Sequence, residues 1–291
     1  MKHIYIEGNS GCNLKIISDN VIFKSTLDRE YLPRLKKQCE KQKKFFFLFK
    51  ENFINKNKKF VIPEIFEENW SCVSGLEYCG FYMQYFQAND FIKFLAYSDI
   101  KNVLEVIYCL FDFIDNNISK SEITSIDSDI LQQKYLEVNK NIFKRHGNMD
   151  SLFDIFKLIE RDLQDLPSTI NIPIGYCHGD LTFSNILFAQ NKIILIDFLD
   201  SFIESPLQDI VKLRQDTKHL WSSMFFKGDY DKIKNAIIMD FFDDLINKYF
   251  RKYDFYMLYY RIFQRLNLLR IIPYIKQDNI LTYIIKEIHK V

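Results

Sequence analysis

The chain has 291 residues, with 39 Lys and Arg against 38 Asp and Glu, so its net charge is +1. That balance gives no general case for a nucleic-acid or membrane-surface protein. No run approaches the roughly 18 to 20 apolar residues of a membrane helix, and the opening MKHIYIEGNS reads as lacking a secretory leader, because Glu7 interrupts its apolar stretch. The cysteines at 12, 39, 72, 79, 109 and 177 are scattered without a Cys-x-x-Cys pair. That pattern predicts free thiols in a reducing cytoplasm rather than disulfides or a zinc site.

In chain order, the first 26 residues predict three short strands. IYI alternates and runs into a loop holding Gly8 and Gly11, LKII ends at the tight turn SDN, and VIFKS follows. From Asp28 the period changes. Asp28 can cap a helix, Pro33 suits its beginning, and Leu35, Cys39 and the later phenylalanines face inward while the lysines face water. KKFVIPEIFEENWSCVSGLEYCGFYMQYFQ returns to strand-like alternation. Val103, Leu104, Ile107, Leu110, Phe111 and Ile114 then recur at helical spacing. ILQQKYLEVNKNIFKRH and SLFDIFKLIERDLQDLP predict two more helices, the second stopped by Pro167. After the strand-rich GYCHGDLTFSNILFAQNKIILIDFLD the chain is helical to its end. Strands followed by helices predict an α+β fold of two packed lobes, residues 1–86 and 87–291, with the seam near 84–90.

The chemistry concentrates in YCHGDLTFSNILF at 176–188 and IDFLD at 196–200. A hairpin turning at AQNK would bring Asn185 and Asp197 to one end of a strand pair. Two hard oxygen ligands there suit Mg²⁺, which keeps waters and phosphates as its other ligands. Asp180 is a further carboxylate, ionised at neutral pH, that can accept a proton or orient a hydroxyl.

His-Gly-Asp-Leu-x-x-x-Asn-Ile-Leu followed by Ile-Asp-Phe-x-Asp resembles the aminoglycoside phosphotransferase and choline kinase superfamily, small-molecule kinases with a protein-kinase-like fold. The resemblance is most specific over residues 176–209 and extends to the bacterial sugar, lipopolysaccharide and capsule kinases of that group. It implies an N-terminal antiparallel sheet with one helix and a larger helical lobe. It implies that Asp180 is the catalytic aspartate and that Asn185 and Asp197 hold Mg²⁺ on the ATP phosphates. His178 braces the loop, Asp200 is secondary near metal or acceptor, and Asp209, in SPLQDIVKL, is structural. Protein kinases carry Arg between His and Asp and Gly after Asp-Phe. Gly179 and Leu199 stand there instead, which favours a small-molecule acceptor.

The same resemblance places a phosphate-covering loop at Gly8, Ser10 and Gly11, where glycines permit close backbone approach. It places a phosphate-contacting lysine at Lys24, with Lys15 as rival, and a helical glutamate pairing with it at Glu40, or else Glu30. The rest of KKQCEKQKK reads as a solvated helix face. Backbone groups around Gln84 to Phe86 would meet adenine, with Met83 beside it. These implications converge on a cytoplasmic ATP- and Mg²⁺-dependent kinase acting on a hydroxyl of a small molecule, first a sugar or glycan precursor. Choline or ethanolamine, for which Trp221 and Tyr259 are candidate cation–π partners, and an aminoglycoside are the alternatives. A silent nucleotide-binding relative and a protein kinase are the competing classes.

Overall fold

The computed structural model describes residues 5–7, 12–52, 59–71, 78–147, 150–189 and 191–291. In chain order the strands and helices begin with β1 (Tyr5–Glu7), β2 (Asn13–Ser18), β3 (Val21–Thr26), α1 (Leu32–Asn52), β4 (Phe60–Val61), β5 (Ile65–Asn69), β6 (Cys79–Gln84), α2 (Phe91–Tyr97) and α3 (Ile100–Ser119). They continue with β7 (Glu122–Asp127), α4 (Asp129–His146), α5 (Asp150–Gln164), β8 (Thr169–Ile174), a single 3₁₀ turn at Phe183–Asn185, β9 (Ile186–Ala189) and β10 (Lys192–Leu195). The rest is helical: α6 (Pro206–Thr217), α7 (Trp221–Met224), α8 (Lys232–Phe250), α9 (Asp254–Leu269), a second 3₁₀ turn at Ile272–Tyr274 and α10 (Asp278–Lys290). The fold is α+β, and no helix among the described residues is long and apolar enough to cross a membrane.

The chain divides into two compact units. One comprises residues 1–109 with 183–200; the other comprises 110–182 with 201–291. The first thus holds the predicted N-terminal lobe and, in addition, residues up to 109 and the 183–200 hairpin.

In the first unit, five strands form a sheet in the order β1-β2-β3-β6-β5, with antiparallel pairing throughout. One face of α1 closes a small core with it: Leu35 and Cys39 pack with Ile22, Phe81 and Met83. Asp28 prepares that helix, its backbone carbonyl accepting from Leu32 N–H at 3.1 Å and its side chain from Glu30 N–H at 2.8 Å. A second sheet runs β4-β10-β9, with β4 parallel to β10 and β9 antiparallel to it. The parallel partner comes from far earlier in the chain, and local alternation carries no signal of it. Aromatic stacks of Phe91 on Phe183 and Phe94 on Phe188, with centroids 3.8 and 4.0 Å apart, pin α2 onto this hairpin.

The second unit packs α6 against α8 and α9, with β7 and β8 paired antiparallel at its side. These two strands are absent from the sequence reading. EITSID has one exposed and one intermediate face, so its alternation is weak. Cys12, Cys39, Cys109 and Cys177 are free and buried. Cys79 is disulfide-bonded, a departure from the expectation of free thiols throughout.

Gly80 sits on β6 opposite Ser25 of β3 and Asn69 of β5. A Cβ there would stand 2.0 Å from the Lys24 carbonyl oxygen and 2.7 Å from the Ser25 Cα, both backbone atoms that cannot swing away. Gly80→Ala therefore forces the central strands apart. The expected loss is about 2–3 kcal/mol or more, read as a lowered denaturation midpoint; a melt within a degree of the parent refutes the close approach.

Candidate active site

The predicted residues fall into one group in each unit. In the first, the β9–β10 hairpin closes with Ile186 opposite Leu195, and Ile196 N–H donates to the Asn185 carbonyl at 3.1 Å. Asn185 and Asp197 therefore flank the open end of one hairpin, as the turn at AQNK requires. Asn185 is buried. Asp197 holds a left-handed backbone with φ 61°, a strained state for a non-glycine residue that surrounding structure must enforce.

Lys24 is the counterpart. It is 3% exposed, and its Nζ donates to Asp197 Oδ1 at 2.6 Å and to Gln38 Oε1 at 2.8 Å. Burial opposes the charge of the ammonium, but the Asp197 carboxylate outweighs it and holds the Lys24 pKa above its usual value. Gln38 is fixed in that orientation because its amide donates to the Tyr31 hydroxyl at 3.0 Å. Asp197 Oδ2 makes no hydrogen bond or ion pair among the described residues, and the side chain is 36% exposed.

The expected pairing of Lys24 with Glu40 is corrected: Gln38 stands there. Leu35, Gln38, Cys39 and Gln42 form the buried stripe of α1, at the i, i+3, i+4, i+7 spacing of one helix face. Glu40 lies about 100° round the helix from Cys39 and is exposed; Glu30 precedes the helix and is exposed too. The lysine run is also less solvated than predicted. Lys41 Nζ donates to the Leu199 carbonyl at 2.6 Å, Lys37 approaches Asp200 at 3.3 Å, and Phe45 packs on Phe198 with ring centroids 4.8 Å apart. Helix α1 thereby grips residues 198–200 at three points.

The predicted adenine-binding stretch is the end of β6. Gln84 N–H donates to the Glu64 carbonyl at 2.8 Å and Tyr85 N–H to the Asn20 carbonyl at 2.9 Å. The backbone N–H of half-buried Phe86 bonds to nothing among the described residues. Met83 is buried in the core beside Gln42, whose Nε2 stands 3.6 Å from its sulfur. Gly8, Ser10 and Gly11 lie outside the described residues.

In the second unit the loop His178–Asp180 is held by Asp209. Ser205 caps α6 through Leu207 N–H at 3.2 Å with Pro206 in the first turn, which presents Asp209 toward the loop. Its buried carboxylate accepts His178 N–H at 2.7 Å and Gly179 N–H at 2.8 Å. Gly179 has φ 85°, a conformation other residues adopt only with strain. His178 is fully buried, and its Nδ1 stands 3.3 Å from Asp180 N–H. This leaves the Asp180 carboxylate partly exposed, with Lys212 Nζ 3.0 Å from Oδ1. Lys212 also approaches Gln215 Oε1 at 3.3 Å. Neither Gln38 nor Lys212 is among the residues expected from sequence. The one available signal for Lys212 was its i+3 spacing from Asp209.

Residues 126–232 match the model of APH, the phosphotransferase enzyme family. That segment holds both motifs and all of α6. Solved structures carry the same fold over almost the whole chain. APH(4)-Ia in complex with ADP and hygromycin B superposes with a TM-score of 0.60 at 10% identity, covering 99% of this chain and 93% of that one. A glucosamine kinase in complex with glucosamine, ADP and inorganic phosphate gives 0.56 at 10% identity, with 99% and 75% covered. ADP-bound APH(2'')-Ib gives 0.51 at 13% identity, with 99% and 92% covered. Residues 126–232 thus resemble the phosphotransferase enzyme family, and the solved structures share the fold of the chain. No curated protein matches it in sequence.

The two amides gathered by Asp209 make a specific test. Asp209→Asn keeps the shape but replaces one acceptor oxygen with a donor facing an N–H. The expected cost is about 2–3 kcal/mol of stability, with lowered activity in the fraction still folded. Unchanged stability by denaturant titration would show that the loop does not depend on this carboxylate.

Proposed function

We propose that this chain is a kinase that transfers the γ-phosphate of ATP to a hydroxyl of a small molecule, a sugar or glycan precursor, with Mg²⁺ as cofactor in the cytoplasm. The observation that carries the reading is the buried Lys24 ammonium held 2.6 Å from Asp197. A lysine on the third strand and a metal-ligand carboxylate converging in this way form the charge arrangement that phosphoryl transfer requires. The ADP and ATP complexes among the similar folds support the nucleotide.

Phosphoryl transfer leaves little covalent chemistry to the protein and depends on positioning and charge. Lys24 binds the α- and β-phosphates. The Phe86 N–H and the Gln84 carbonyl meet the adenine edge, and Gly8, Ser10 and Gly11 cover the phosphates. The donor set fits Mg²⁺: Asn185 and Asp197 offer hard oxygens from one hairpin end, and Asp197 Oδ2 is uncommitted among the described residues. When bound, the ion neutralises charge on the phosphates. Asp180 accepts the hydrogen bond of the acceptor hydroxyl and orients its oxygen for in-line attack on the γ-phosphorus. The new O–P bond forms as the bond to the bridging oxygen breaks, ADP leaves, and the hydroxyl proton passes to the Asp180 carboxylate. His178 and Asp209 hold the loop, and Lys37 keeps Asp200 beside α1. Trp221 packs edge-on against Phe225 with centroids 4.6 Å apart, and Tyr259 is buried, so both side chains are engaged in packing.

Two variants separate the roles. Asp180→Ala is expected to lose about 10²- to 10⁴-fold in kcat while ATP binding by calorimetry stays within a few-fold; robust transfer in that variant removes Asp180 from the chemistry. Asp197→Ala is expected to raise the Mg²⁺ concentration needed for half-maximal turnover by about ten-fold or more, the effect of losing one charged ligand. An unchanged Mg²⁺ titration would strike Asp197 from the metal site.

A further inference from the structure

We infer that Asp180 and Lys212 together read a vicinal diol, so that the acceptor is a neutral polyhydroxylated compound rather than a polycationic amine. This rests on the reading above in which Asp180 receives the acceptor hydroxyl. The starting observation is the pair itself. Lys212 Nζ stands 3.0 Å from Asp180 Oδ1, and both side chains retain solvent access, at 13% and 24% exposed. An ammonium has three donors. Those of Lys212 meet Asp180 and Gln215 and no third partner among the described residues. One donor therefore stays available beside the carboxylate.

An acceptor oxygen that donates to Asp180 leaves its neighbour within reach of that third N–H. The two oxygens of a gauche diol are spaced much as the carboxylate oxygen and ammonium nitrogen are here. One hydroxyl gives a proton to a carboxylate while the next accepts from a cation. A deoxy carbon at the second position forfeits the contact, and an ammonium there meets like charge.

The surrounding carboxylates point the same way. A polycation needs several acids turned toward it, and four on or against α6 are turned to partners inside the protein. Asp209 holds the loop amides. Glu204 takes Ser201 N–H at 2.6 Å and the Cys177 thiol at 3.4 Å. Asp216 takes the Ser222 N–H and hydroxyl at 2.7 and 2.9 Å. Asp243 is forked by Arg214 at 2.8 and 2.7 Å. One turn before Lys212 on the same helix face, Gln208 is buried with neither amide atom paired among the described residues. Beside Asp180, the charged group that this face of α6 presents is the Lys212 ammonium.

The test is Mg·ATP-dependent transfer by the full chain to neutral monosaccharides and polyols, each matched with its deoxy and amino counterpart, and to kanamycin. The parent is expected to favour the diol over its matched analogues by about 10- to 100-fold in kcat/KM, the value of one hydrogen bond to a charged group. Lys212→Met and Lys212→Gln should raise KM for the diol and bring the diol-to-amine ratio toward one, while Lys212→Arg keeps part of it. A lysine with a purely structural role would lower all acceptors together and leave that ratio in place. Preferred transfer to the amino compounds, or a ratio unchanged in folded Lys212 variants, overturns the inference and leaves the kinase reading standing. Transfer to none of the acceptors, or full activity in Asp180→Ala, overturns that reading and this inference with it.

Discussion

A buried ammonium must find a counter-charge. Taking Lys24 out of water without one would cost several kcal/mol, since desolvation of a single ion exceeds what one neutral hydrogen bond returns. The chain solves this with Asp197, 173 positions away in sequence. Satisfying that one charge commits β3, the segment after β10 and the inward face of α1 to one arrangement. The strained backbone at Asp197 and the lysine contacts from α1 to residues 199 and 200 are consequences of holding the carboxylate there.

The second unit repeats the logic with the sign reversed. Asp209 is a buried carboxylate, and the amides of His178 and Gly179 stabilise it. The same contacts shape the loop that carries Asp180. A neutral brace would hold the loop less firmly, because a hydrogen bond to an ionised acceptor is roughly twice as strong as a neutral one. The unit keeps its other charges in comparable enclosures, among them the fork of Arg214 on Asp243 with Tyr256 donating nearby. Burial drives the Tyr260 hydroxyl far above its ordinary range, while Arg214, whose guanidinium lies 4.4 Å from its ring, pulls the other way.

The replacement of the expected helical glutamate by Gln38 changes the electrostatics of the first group. A glutamate would share the lysine's charge between two carboxylates. A glutamine leaves Asp197 as its sole anionic partner among the hydrogen-bonded groups, so the pair is close and the Lys24 pKa is raised. Lys41 and Lys37 supply positive charge to the same segment from the outer side of α1. The helix therefore holds the segment after β10 by a neutral amide and cations rather than by an acid.

Much of this was legible in the residues. Alternation located β2, β3 and β6, helical periodicity located α3, α4 and α5, and the spacing of Asn185, AQNK and Asp197 placed two oxygen-bearing side chains at one hairpin end. These are short-range relations, set by a period or a turn, and the chain states them locally. Glu40 was misplaced because both Gln38 and Glu40 are polar; which one faces inward depends on how α1 is rotated against the sheet, and buried Leu35 and Cys39 decide that. The parallel pairing of β4 with β10, the β7–β8 pair and the contact of Lys212 with Asp180 join segments whose separation leaves no periodic trace. The residues alone carried the functional groups on offer: an aspartate, two oxygen-bearing side chains and a lysine in a pattern that resembles phosphotransferases. Only tertiary packing decided which neighbours those groups meet, because a buried charge is answered by whatever the fold brings to it.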